Sequence, residues 1–274
     1  MIVDLHTHTN RSDGTLSAVE LLRHSRDAGI GLLSITDHDT IAAYQDLDCK
    51  VTRQFPSIVP GIEFSTTWRK TGIHVLGLNI DLKSDAIQMA TAFQLNARQL
   101  RAEQIAKRLE RVGIADTLPD AIALAKCGAV GRPHFAQVLV ERQIVKNASE
   151  AFRKYLGAGK PGDVKQHWAS FEQIIEWIRE SGGSPVLAHP GKYGLTRTKL
   201  VELIKEFHDT GGEAIEVISG QQDPMLTSSL AACAVAHELR ASCGSDFHQL
   251  GQPWARLGMP LSLPAKCRPV WDSW

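Results

Sequence analysis

Short apolar runs that lead into or out of a histidine or an acid recur along this chain, and this pattern limits the folds that the chain can adopt. The first run, Met1–Leu5, leads to His6 and His8, whose side chains point the same way in an extended chain. Similar runs recur along the sequence. The residues that flank them are His6, His8, Asp13, His38, Glu63, His74, His189, Asp246 and His248. Because the parallel strands of a barrel end at one rim, the pattern predicts these side chains at the rim of such a barrel.

These residue types at one rim indicate a metal site. A lone His-x-His pair is more often one hydrogen-bonded histidine beside an exposed one. Histidines and acids that occur by chance would, however, be scattered over helices and loops and would not recur beside apolar runs. The nine candidate ligands exceed the four of a tetrahedral ion and the six of an octahedral one. We therefore expect two or three divalent cations that share a bridging carboxylate. Imidazole and carboxylate ligands without thiolate favour Mn²⁺, with Fe²⁺ or Zn²⁺ as alternatives.

Composition argues against several classes of protein. The 274 residues are enough for one large barrel, and the 30 basic and 30 acidic residues cancel, which disfavours coating of nucleic acid by bulk charge. The five cysteines include no Cys-x-x-Cys pair, so neither a disulfide framework nor a thiolate zinc site is indicated. Without a leader or an apolar run of membrane-spanning length, we expect a cytoplasmic protein with no membrane association and no obligate protein partner.

The coarse pattern alternates strands with helices. It favours an α/β fold with a mainly parallel sheet of about seven strands, closed or nearly closed into a barrel. Helix starts are well marked, because Ser17 with Glu20 forms a capping box and Ser170-Phe171-Glu172-Gln173 opens another helix. Gly29 is the expected C-terminal signal of the first of these helices.

One region breaks the alternation. From residue 84 to residue 162 the sequence has the pattern of consecutive helices and no convincing strand. The candidate ligands resume afterwards at His189, which favours an insertion between two barrel strands over a second free domain. We expect residues 1–83 and 163–274 to form the barrel, and residues 84–162 to form a helical insertion that covers the mouth of the site.

The insertion contains Gly131-Arg132-Pro133-His134, which has the features of an anion seat. Proline suits the first turn of a helix, where backbone N–H groups and the positive end of the helix dipole are available to an anion. Arg132 and His134 would add side-chain contacts at that point and complete a seat for a phosphate. The alternative is that Arg132 is a surface side chain and His134 packs under the helix.

Two weaker basic elements lie in the same region. Lys160 is in a glycine-rich turn that could close over an anion, while Arg98 and Arg101 lie three residues apart on one face of a long helix. A solvated surface is the common explanation for such side chains. We carry Lys160 and Arg101 as candidate substrate contacts.

The motifs around the candidate ligands form an ordered set. They are His-Thr-His-Thr at 6–9, Ser-Asp-Gly at 12–14, Thr-Asp-His-Asp at 36–39, Gly-Ile-Glu-Phe-Ser at 61–65, His-Val-Leu-Gly at 74–77, Ala-His-Pro at 188–190 and Gly-Ser-Asp-Phe-His at 244–248. Together they resemble the polymerase and histidinol phosphatase (PHP) family of metal-dependent phosphoesterases. The match spans residues 6 to 248, and a set of this many motifs in order is far more specific than any one of them.

The resemblance implies a distorted (β/α)7 barrel with a trinuclear metal site. By motif, the first metal would take His6, His8, Glu63 and Asp246, the second Glu63, His74 and His189, and the third Asp13, His38 and His248. The ligands expected to take part in catalysis are Asp13, His38, Glu63 and His248. Asp13 and His38 would also contact the substrate. Either His248 or a metal-bound water would protonate the leaving oxygen, and the resemblance leaves both open.

Within the family, the Arg-Pro-His segment and residues 152–161 resemble a branch of bacterial 3',5'-nucleotide bisphosphate phosphatases and 5'-to-3' exoribonucleases. Both activities grip a 5'-phosphate and hydrolyse the ester at the 3' oxygen of the same nucleotide. Arg132, His134 and Lys160 would hold the phosphate that does not react. Near-zero net charge and a covered site favour a phosphatase acting on small bisphosphates such as 3'-phosphoadenosine 5'-phosphate. The alternative is a nuclease that acts on short 5'-phosphorylated RNA.

Two further functions are disfavoured. A histidinol phosphatase acts on a substrate with one phosphate, which would not need the second phosphate seat that Arg132 and His134 indicate. A non-catalytic, metal-bound module that serves a partner protein is the least favoured function, because every ligand position of the family pattern is filled.

Overall fold

Seven strands form a single sheet, and their order in the sheet is their order in the sequence. The structure is a computed structural model that describes residues 1–47, 56–125, 130–164 and 168–274. The strands are β1 (Ile2–Asp4), β2 (Ile30–Ile35), β3 (Ser57–Trp68), β4 (Thr71–Leu78), β5 (Ser184–Leu187), β6 (Ala214–Ser219) and β7 (Arg240–Gly244). Each is flanked by its sequence neighbours, as short connections between successive elements favour.

The sheet closes almost completely on itself. Strands β1 to β3 run parallel to one another, as do β5 to β7, while β4 is antiparallel to both of its neighbours. Beyond the strand ends, the Leu5 N–H donates to the Cys243 carbonyl at 3.0 Å and Thr7 pairs with Phe247. The predicted distorted (β/α)7 barrel is therefore confirmed, and the antiparallel strand accounts for much of its distortion.

Strand β3 is longer than its apolar run indicates. Residues 57–60 pair with β2, but the strand continues past Glu63 to Trp68 in a hairpin with β4. Glu63 follows the apolar run in the sequence, but the strand does not end there, because the residues after Glu63 obtain their hydrogen bonds from β4. Since β4 runs the opposite way, its first half carries His74 to the rim where the parallel strands end.

The described helices lie mostly between the strands. They are α1 (Ala18–Asp27), α2 (Asp85–Glu110), α3 (Thr117–Ala125), α4 (Arg132–Glu141), α5 (Ala148–Ala151), α6 (Phe171–Glu180), α7 (Arg197–Asp209) and α8 (Pro224–Ala236). A π-helical turn, Phe152–Leu156, extends α5. Within the described ranges, every helix falls short of the length and apolar character needed to cross a bilayer.

The predicted helix ends agree with the structure. Ser17 Oγ accepts a hydrogen bond from the Glu20 N–H, and the Glu20 carboxylate accepts one from the Ser17 N–H, which completes the capping box of α1. Ser170 caps α6 by accepting from the Gln173 N–H at 3.2 Å. Gly29 follows α1 with φ of 75°, a left-handed conformation that glycine adopts without steric cost.

Most helices between β4 and β5 share an apolar core separate from that of the barrel, whereas α6 packs against the barrel core. Side chains of α2, α4 and α5 pack around Phe135, while the barrel core is built around the strands. We call residues 85–156 the helical segment. Its first helix is tied to the barrel rim, because the Gln94 amide donates to Asp39 Oδ1 at 2.8 Å and to the Ser65 carbonyl at 2.7 Å. These hydrogen bonds hold α2 beside the ends of the strands.

Candidate active site

The nine candidate ligands converge at one end of the barrel. They lie on the segments that follow β1, β2, β5 and β7, and on the β3–β4 hairpin. Four overlapping groups have potential ligand atoms within 4.8 Å of one another. The groups are His8 with Asp13, His38 and His248; His6 with Glu63 and His189; His6 with His8 and Asp246; and His38 with Glu63 and His74. We call these nine side chains the rim cluster.

Glu63 lies at the centre of the rim cluster, with five imidazoles around its carboxylate. Glu63 Oε2 lies 3.3 Å from Nε2 of His6, 3.3 Å from Nε2 of His8 and 3.0 Å from Nδ1 of His38. Glu63 Oε1 lies 2.9 Å from Nδ1 of His74 and 3.0 Å from Nε2 of His189. Each oxygen faces a different set of rings, which is the arrangement expected of a carboxylate that bridges two cations.

Two further acids flank these rings. Asp246 Oδ1 lies 3.5 Å from His6 Nε2 and 3.4 Å from His8 Nε2. Asp13 Oδ1 lies 3.3 Å from His248 Nε2 on the opposite side of the cluster. Imidazole rings of the cluster therefore lie close to Asp13 and Asp246 as well as to Glu63.

The electrostatics of the rim cluster suit a cation. Burial alone would raise the pKa of Glu63, but the surrounding imidazoles hold that pKa well below its usual range. Burial alone would lower the pKa of His8, yet Asp246 and Glu63 raise it to about 10. Burial lowers the pKa of His38 to about 3, which leaves that ring neutral and able to act as a ligand. The field of the ionised acids thus favours positive charge within the cluster.

Buried polar atoms in the rim cluster also fit a divalent cation. Several of them have no hydrogen-bond partner within the described part of the chain. They are His6 Nε2, both ring nitrogens of His8, His38 Nδ1, Glu63 Oε2 and His189 Nδ1. Burying a polar atom without a partner is costly, and coordination to a metal would satisfy such atoms. Imidazole nitrogen and carboxylate oxygen form a donor set suited to Mn²⁺, Fe²⁺ or Zn²⁺.

Glu216, in the middle of β6, supports the cluster from behind and was missed by the sequence analysis. This fully buried acid lies with Oε1 3.0 Å from His6 Nδ1, and its Oε2 accepts a hydrogen bond from the His189 N–H at 2.6 Å. Because a carboxylate can only accept, Nδ1 of His6 carries the proton and Nε2 is directed into the cluster. The sequence signal was an acid flanked by aliphatic residues in a buried strand.

The two acids next to His38 form structural hydrogen bonds. Asp37 accepts from the backbone N–H of Thr9 at 2.7 Å and from its hydroxyl at 2.6 Å, which fixes the loop after His8. Asp39 accepts from Arg98 Nε at 2.7 Å, and both side chains are almost fully buried. The loop after β2 is therefore held on both sides of His38.

A cavity of about 470 Å³ opens onto the rim cluster, and we call it the arginine cavity. Asp13, His38 and His74 line one part of it. Three arginines, from α2 and from the start of α4, line another part. These are Arg98, Arg101 and Arg132, and the other lining residues include Lys70, Phe152, Trp168 and Tyr193. A ligand that fills the cavity would meet Asp13 and two imidazoles of the rim cluster as well as the guanidinium groups.

The arginines of this cavity form a concentration of positive charge. The guanidinium carbons of Arg98 and Arg101 lie 5.3 Å and 5.2 Å from the centre of the Trp168 ring. Arg101 and Arg132 each donate a hydrogen bond to a backbone carbonyl. Burial, together with the neighbouring charges of Arg132 and Arg98, lowers the pKa of Arg101 to about 9, while the acids Asp39 and Asp163 act in the opposite direction. A bound anion would relieve this mutual repulsion.

The other two predicted substrate contacts lie outside the arginine cavity. Helix α4 begins at Arg132 with Gly131 as its N-cap, as the sequence predicts. His134 accepts a hydrogen bond from the Gly131 N–H through Nδ1 at 3.0 Å, and it lines a second cavity beside Asp13. Lys160 is exposed on its turn and is not among the described residues that line the arginine cavity.

Comparisons with known proteins agree with the geometry, although no family model matches the chain. A 5'-3' exoribonuclease of Salmonella typhimurium is 43% identical, over 100% of this chain and 94% of that relative. A 3',5'-nucleoside bisphosphate phosphatase of Chromobacterium violaceum is 37% identical, over 98% of this chain and 95% of that relative. The chain belongs to the PHP family.

The PHP assignment also agrees with a solved structure. An amidohydrolase from Chromobacterium violaceum, solved with bound sulfate and no metal, is 36% identical and matches with a TM-score of 0.91, over 100% of this chain and 95% of that one. The family predicted from the motifs is therefore confirmed, and this PHP protein is a phosphoric ester hydrolase that binds divalent metal. The rim cluster contains the described groups of side chains that could hold such an ion.

Proposed function

We propose that this PHP enzyme removes the 3'-phosphate from nucleoside 3',5'-bisphosphates, such as 3'-phosphoadenosine 5'-phosphate, and leaves the 5'-monophosphate. The observation that carries the proposal is the arginine cavity, which is lined both by Asp13, His38 and His74 of the rim cluster and by three guanidinium groups. A ribose with two phosphates matches both ends. The 3'-phosphate would lie at the rim cluster and the 5'-phosphate at the arginines. The 37% identical relative is named for this activity.

Two or three divalent cations are part of the proposal, with Mn²⁺ as the expected ion and Fe²⁺ or Zn²⁺ as alternatives. The ligand sets we assign are His6, His8, Glu63 and Asp246; Glu63, His74 and His189; and Asp13, His38 and His248. When bound, the cations would lower the pKa of a water molecule and offset the negative charge of the phosphoryl group. The five imidazole neighbours of Glu63 support its assignment to two sets.

At the rim cluster, the protein's own contribution is to fix the position of the reacting phosphate. We place Asp13, His38, Glu63 and His248 at that phosphate. Asp13 and His38 line the arginine cavity and would contact the substrate directly. His248 donates a hydrogen bond from Nδ1 to the Asp246 carbonyl at 2.9 Å, so Nε2 is the nitrogen that faces Asp13. Such fixed positioning and charge supply most of the catalysis in phosphoryl transfer.

At the other end of the cavity, Arg101 and Arg132 would bind the 5'-phosphate, which is the one that does not react. Arg98 completes the positive field while its own position is fixed by Asp39. We retain His134 and Lys160 as further candidate contacts, although neither lines the arginine cavity. Pro133, the neighbour of His134, lines it, and so do Ala158 and Asp163 on either side of Lys160. We also propose that the insertion, residues 84–162, covers the mouth of the site and limits the access of bulk water to the reaction.

A second candidate function is 5'-to-3' hydrolysis of 5'-phosphorylated RNA. The observation that favours it is the 43% identity to the exoribonucleases of Salmonella typhimurium and Escherichia coli. The chemistry differs only beyond the reacting phosphate, where a nuclease substrate continues as a strand. A cytoplasmic setting suits either function. The free thiols of Cys233, Cys243 and Cys267 agree with such a reducing environment.

The two functions can be compared directly on purified protein with Mn²⁺. We expect faster phosphate release from adenosine 3',5'-bisphosphate than mononucleotide release from a 5'-phosphorylated RNA. Glu63→Gln should abolish both reactions, which serves as the control for contaminating enzymes. If RNA turnover exceeds phosphate release by orders of magnitude, the phosphatase assignment is wrong and the exoribonuclease assignment replaces it.

A further inference from the structure

A second cavity, of about 700 Å³, reaches the rim cluster from another side. Ser12, Asp13 and Pro133 line both this cavity and the arginine cavity, so the two meet at Asp13. A nucleoside 3',5'-bisphosphate ends at its 3'-phosphate. Such a substrate would fill the arginine cavity and would not extend into the second cavity.

The lining of the second cavity suits a nucleic acid strand. It is built from the loop after β1 and from the ends of α3, α4 and α5, and we call it the downstream groove. Its polar side chains include four amides and one lysine, and Leu124 and Val140 are among its apolar ones. The polar lining residues are Asn10, Ser12, Asp13, Thr15, His134, Gln137, Lys146, Asn147 and Gln249. Amides can bond to sugar hydroxyls and base edges, and lysine can contact a phosphate.

The position of the groove also sets the direction of a strand. If the arginines hold the 5'-phosphate of the first nucleotide, the scissile phosphate lies near Asp13, where the two cavities meet. Any nucleotide esterified to that phosphate must then continue away from the arginine cavity. The downstream groove is the described cavity that begins at this point.

We infer that the downstream groove binds the nucleotides that follow the scissile phosphate in a short 5'-phosphorylated RNA strand. This inference rests on the proposed function, because it uses the same rim cluster and the same 5'-phosphate seat. Water attacks phosphorus, and the bond from phosphorus to the 3' oxygen breaks. The first nucleotide leaves with a 3'-hydroxyl after that oxygen takes up a proton. The phosphate stays on the second nucleotide as a new 5'-phosphate.

The test compares two substrates on the same Mn²⁺-loaded protein. Adenosine 3',5'-bisphosphate has nothing beyond its 3'-phosphate, whereas 5'-phosphorylated triadenylate extends into the groove. The variants are Gln137→Ala and Lys146→Ala, which remove contacts, and Ala148→Trp, which fills the groove with a larger side chain. Lys199→Ala, on the exposed face of α7, is the matched control for loss of a lysine.

We expect Gln137→Ala and Lys146→Ala each to lower kcat/KM for the trinucleotide by about tenfold, the size of one lost charged or amide contact. Ala148→Trp should lower the same constant because its side chain occupies the space of the strand. The value for the bisphosphate should stay within about twofold of the wild type, because the bisphosphate does not reach these residues. Unchanged bisphosphate hydrolysis also shows that the variants are folded. The control should leave both substrates unaffected.

Three results would overturn the inference. The groove variants could impair both substrates equally, or they could leave trinucleotide hydrolysis unchanged. The wild type could also hydrolyse the bisphosphate but not the trinucleotide, in which case the phosphatase function stands and the groove assignment fails. Loss of activity on both substrates in the wild type would instead contradict the proposed function itself.

Discussion

Glu216 and His6 are both fully buried, and the Glu216 carboxylate lies 3.0 Å from Nδ1 of His6. The other oxygen of Glu216 accepts a hydrogen bond from the His189 N–H at 2.6 Å. One acid on β6 therefore fixes the ring of a residue that follows β1 and the backbone of a residue that follows β5. Both of those residues face Glu63, so the geometry of the rim cluster depends on a residue outside it.

Glu216→Gln should weaken metal binding. The amide has one oxygen, so it can accept from His6 or from the His189 N–H but not from both. Loss of such a supporting carboxylate typically costs about 10–100-fold in metal affinity. Calorimetric titration of the metal-free protein with Mn²⁺ measures the metal affinity directly. Glu213→Gln makes the same charge change just before β6 and should leave the affinity unchanged. Equal affinities of the Glu216→Gln variant and the wild type would show that Glu216 does not position His6.

Arg132→Ala should raise KM for adenosine 3',5'-bisphosphate by roughly tenfold or more, because a charged hydrogen bond to the 5'-phosphate is lost. The KM for adenosine 3'-monophosphate, which has no 5'-phosphate, should change little. Steady-state phosphate release measures both constants. Arg153→Ala, at a side chain that is 72% exposed, is the control for loss of an arginine. Equal changes for the two substrates would remove Arg132 from the 5'-phosphate seat.

Arg98→Met should destabilise the fold by about 3 kcal/mol at neutral pH, because it leaves the buried Asp39 carboxylate without its cation. The free energy of unfolding in urea measures the effect. Arg153→Met, at the exposed position, should cost far less. A loss below about 0.5 kcal/mol at Arg98, the range of ordinary surface substitutions, would contradict this account of the pair.

The same pair predicts a pH dependence. Burial alone would raise the pKa of Asp39, but Arg98 and the Ser65 N–H hold it below the ordinary value of 3.8. In the wild type, the stability that ionised Asp39 contributes is complete above that value and is lost as the pH falls through the lower folded pKa. Without Arg98, burial raises the folded pKa, so the penalty should be full at neutral pH and shrink on acidification. The free energies of unfolding of the wild type and Arg98→Met, measured from pH 7 to pH 4, should therefore converge as the pH falls. A constant difference between them would contradict the pairing of Arg98 with ionised Asp39.

The sequence predicted the rim cluster because its signals are local. His6, His38 and His189 each follow an apolar run, and parallel strands bring such positions to one rim whatever the details of packing. Capping residues such as Ser17 act over three or four positions, so helix starts could also be predicted. The antiparallel direction of β4 depends on pairing with distant strands, and it explains why His74 lies at the beginning of a run and not after its end.

The supporting residues were not predictable in this way. Glu216 lies within an apolar run, and its role depends on His6, which is 210 positions away in the chain. The pairing of Arg98 with Asp39 spans 59 positions, so the helix pattern alone left Arg98 as a surface residue. Trp168 contacts the arginines only because α2 packs against the barrel rim. Each of these contacts follows from the fold and has no spacing signal of its own.

The central claim is that the rim cluster binds divalent cations on which hydrolysis depends, and metal analysis of the purified protein tests it most directly. After reconstitution with Mn²⁺ and removal of excess ion, elemental analysis should find two or three Mn²⁺ per chain. Glu63→Gln should bind fewer. Treatment with a chelator should remove both the metal and the release of phosphate from adenosine 3',5'-bisphosphate, and added Mn²⁺ should restore both. Full activity in metal-free protein, or no bound ion at saturating Mn²⁺, would contradict the account.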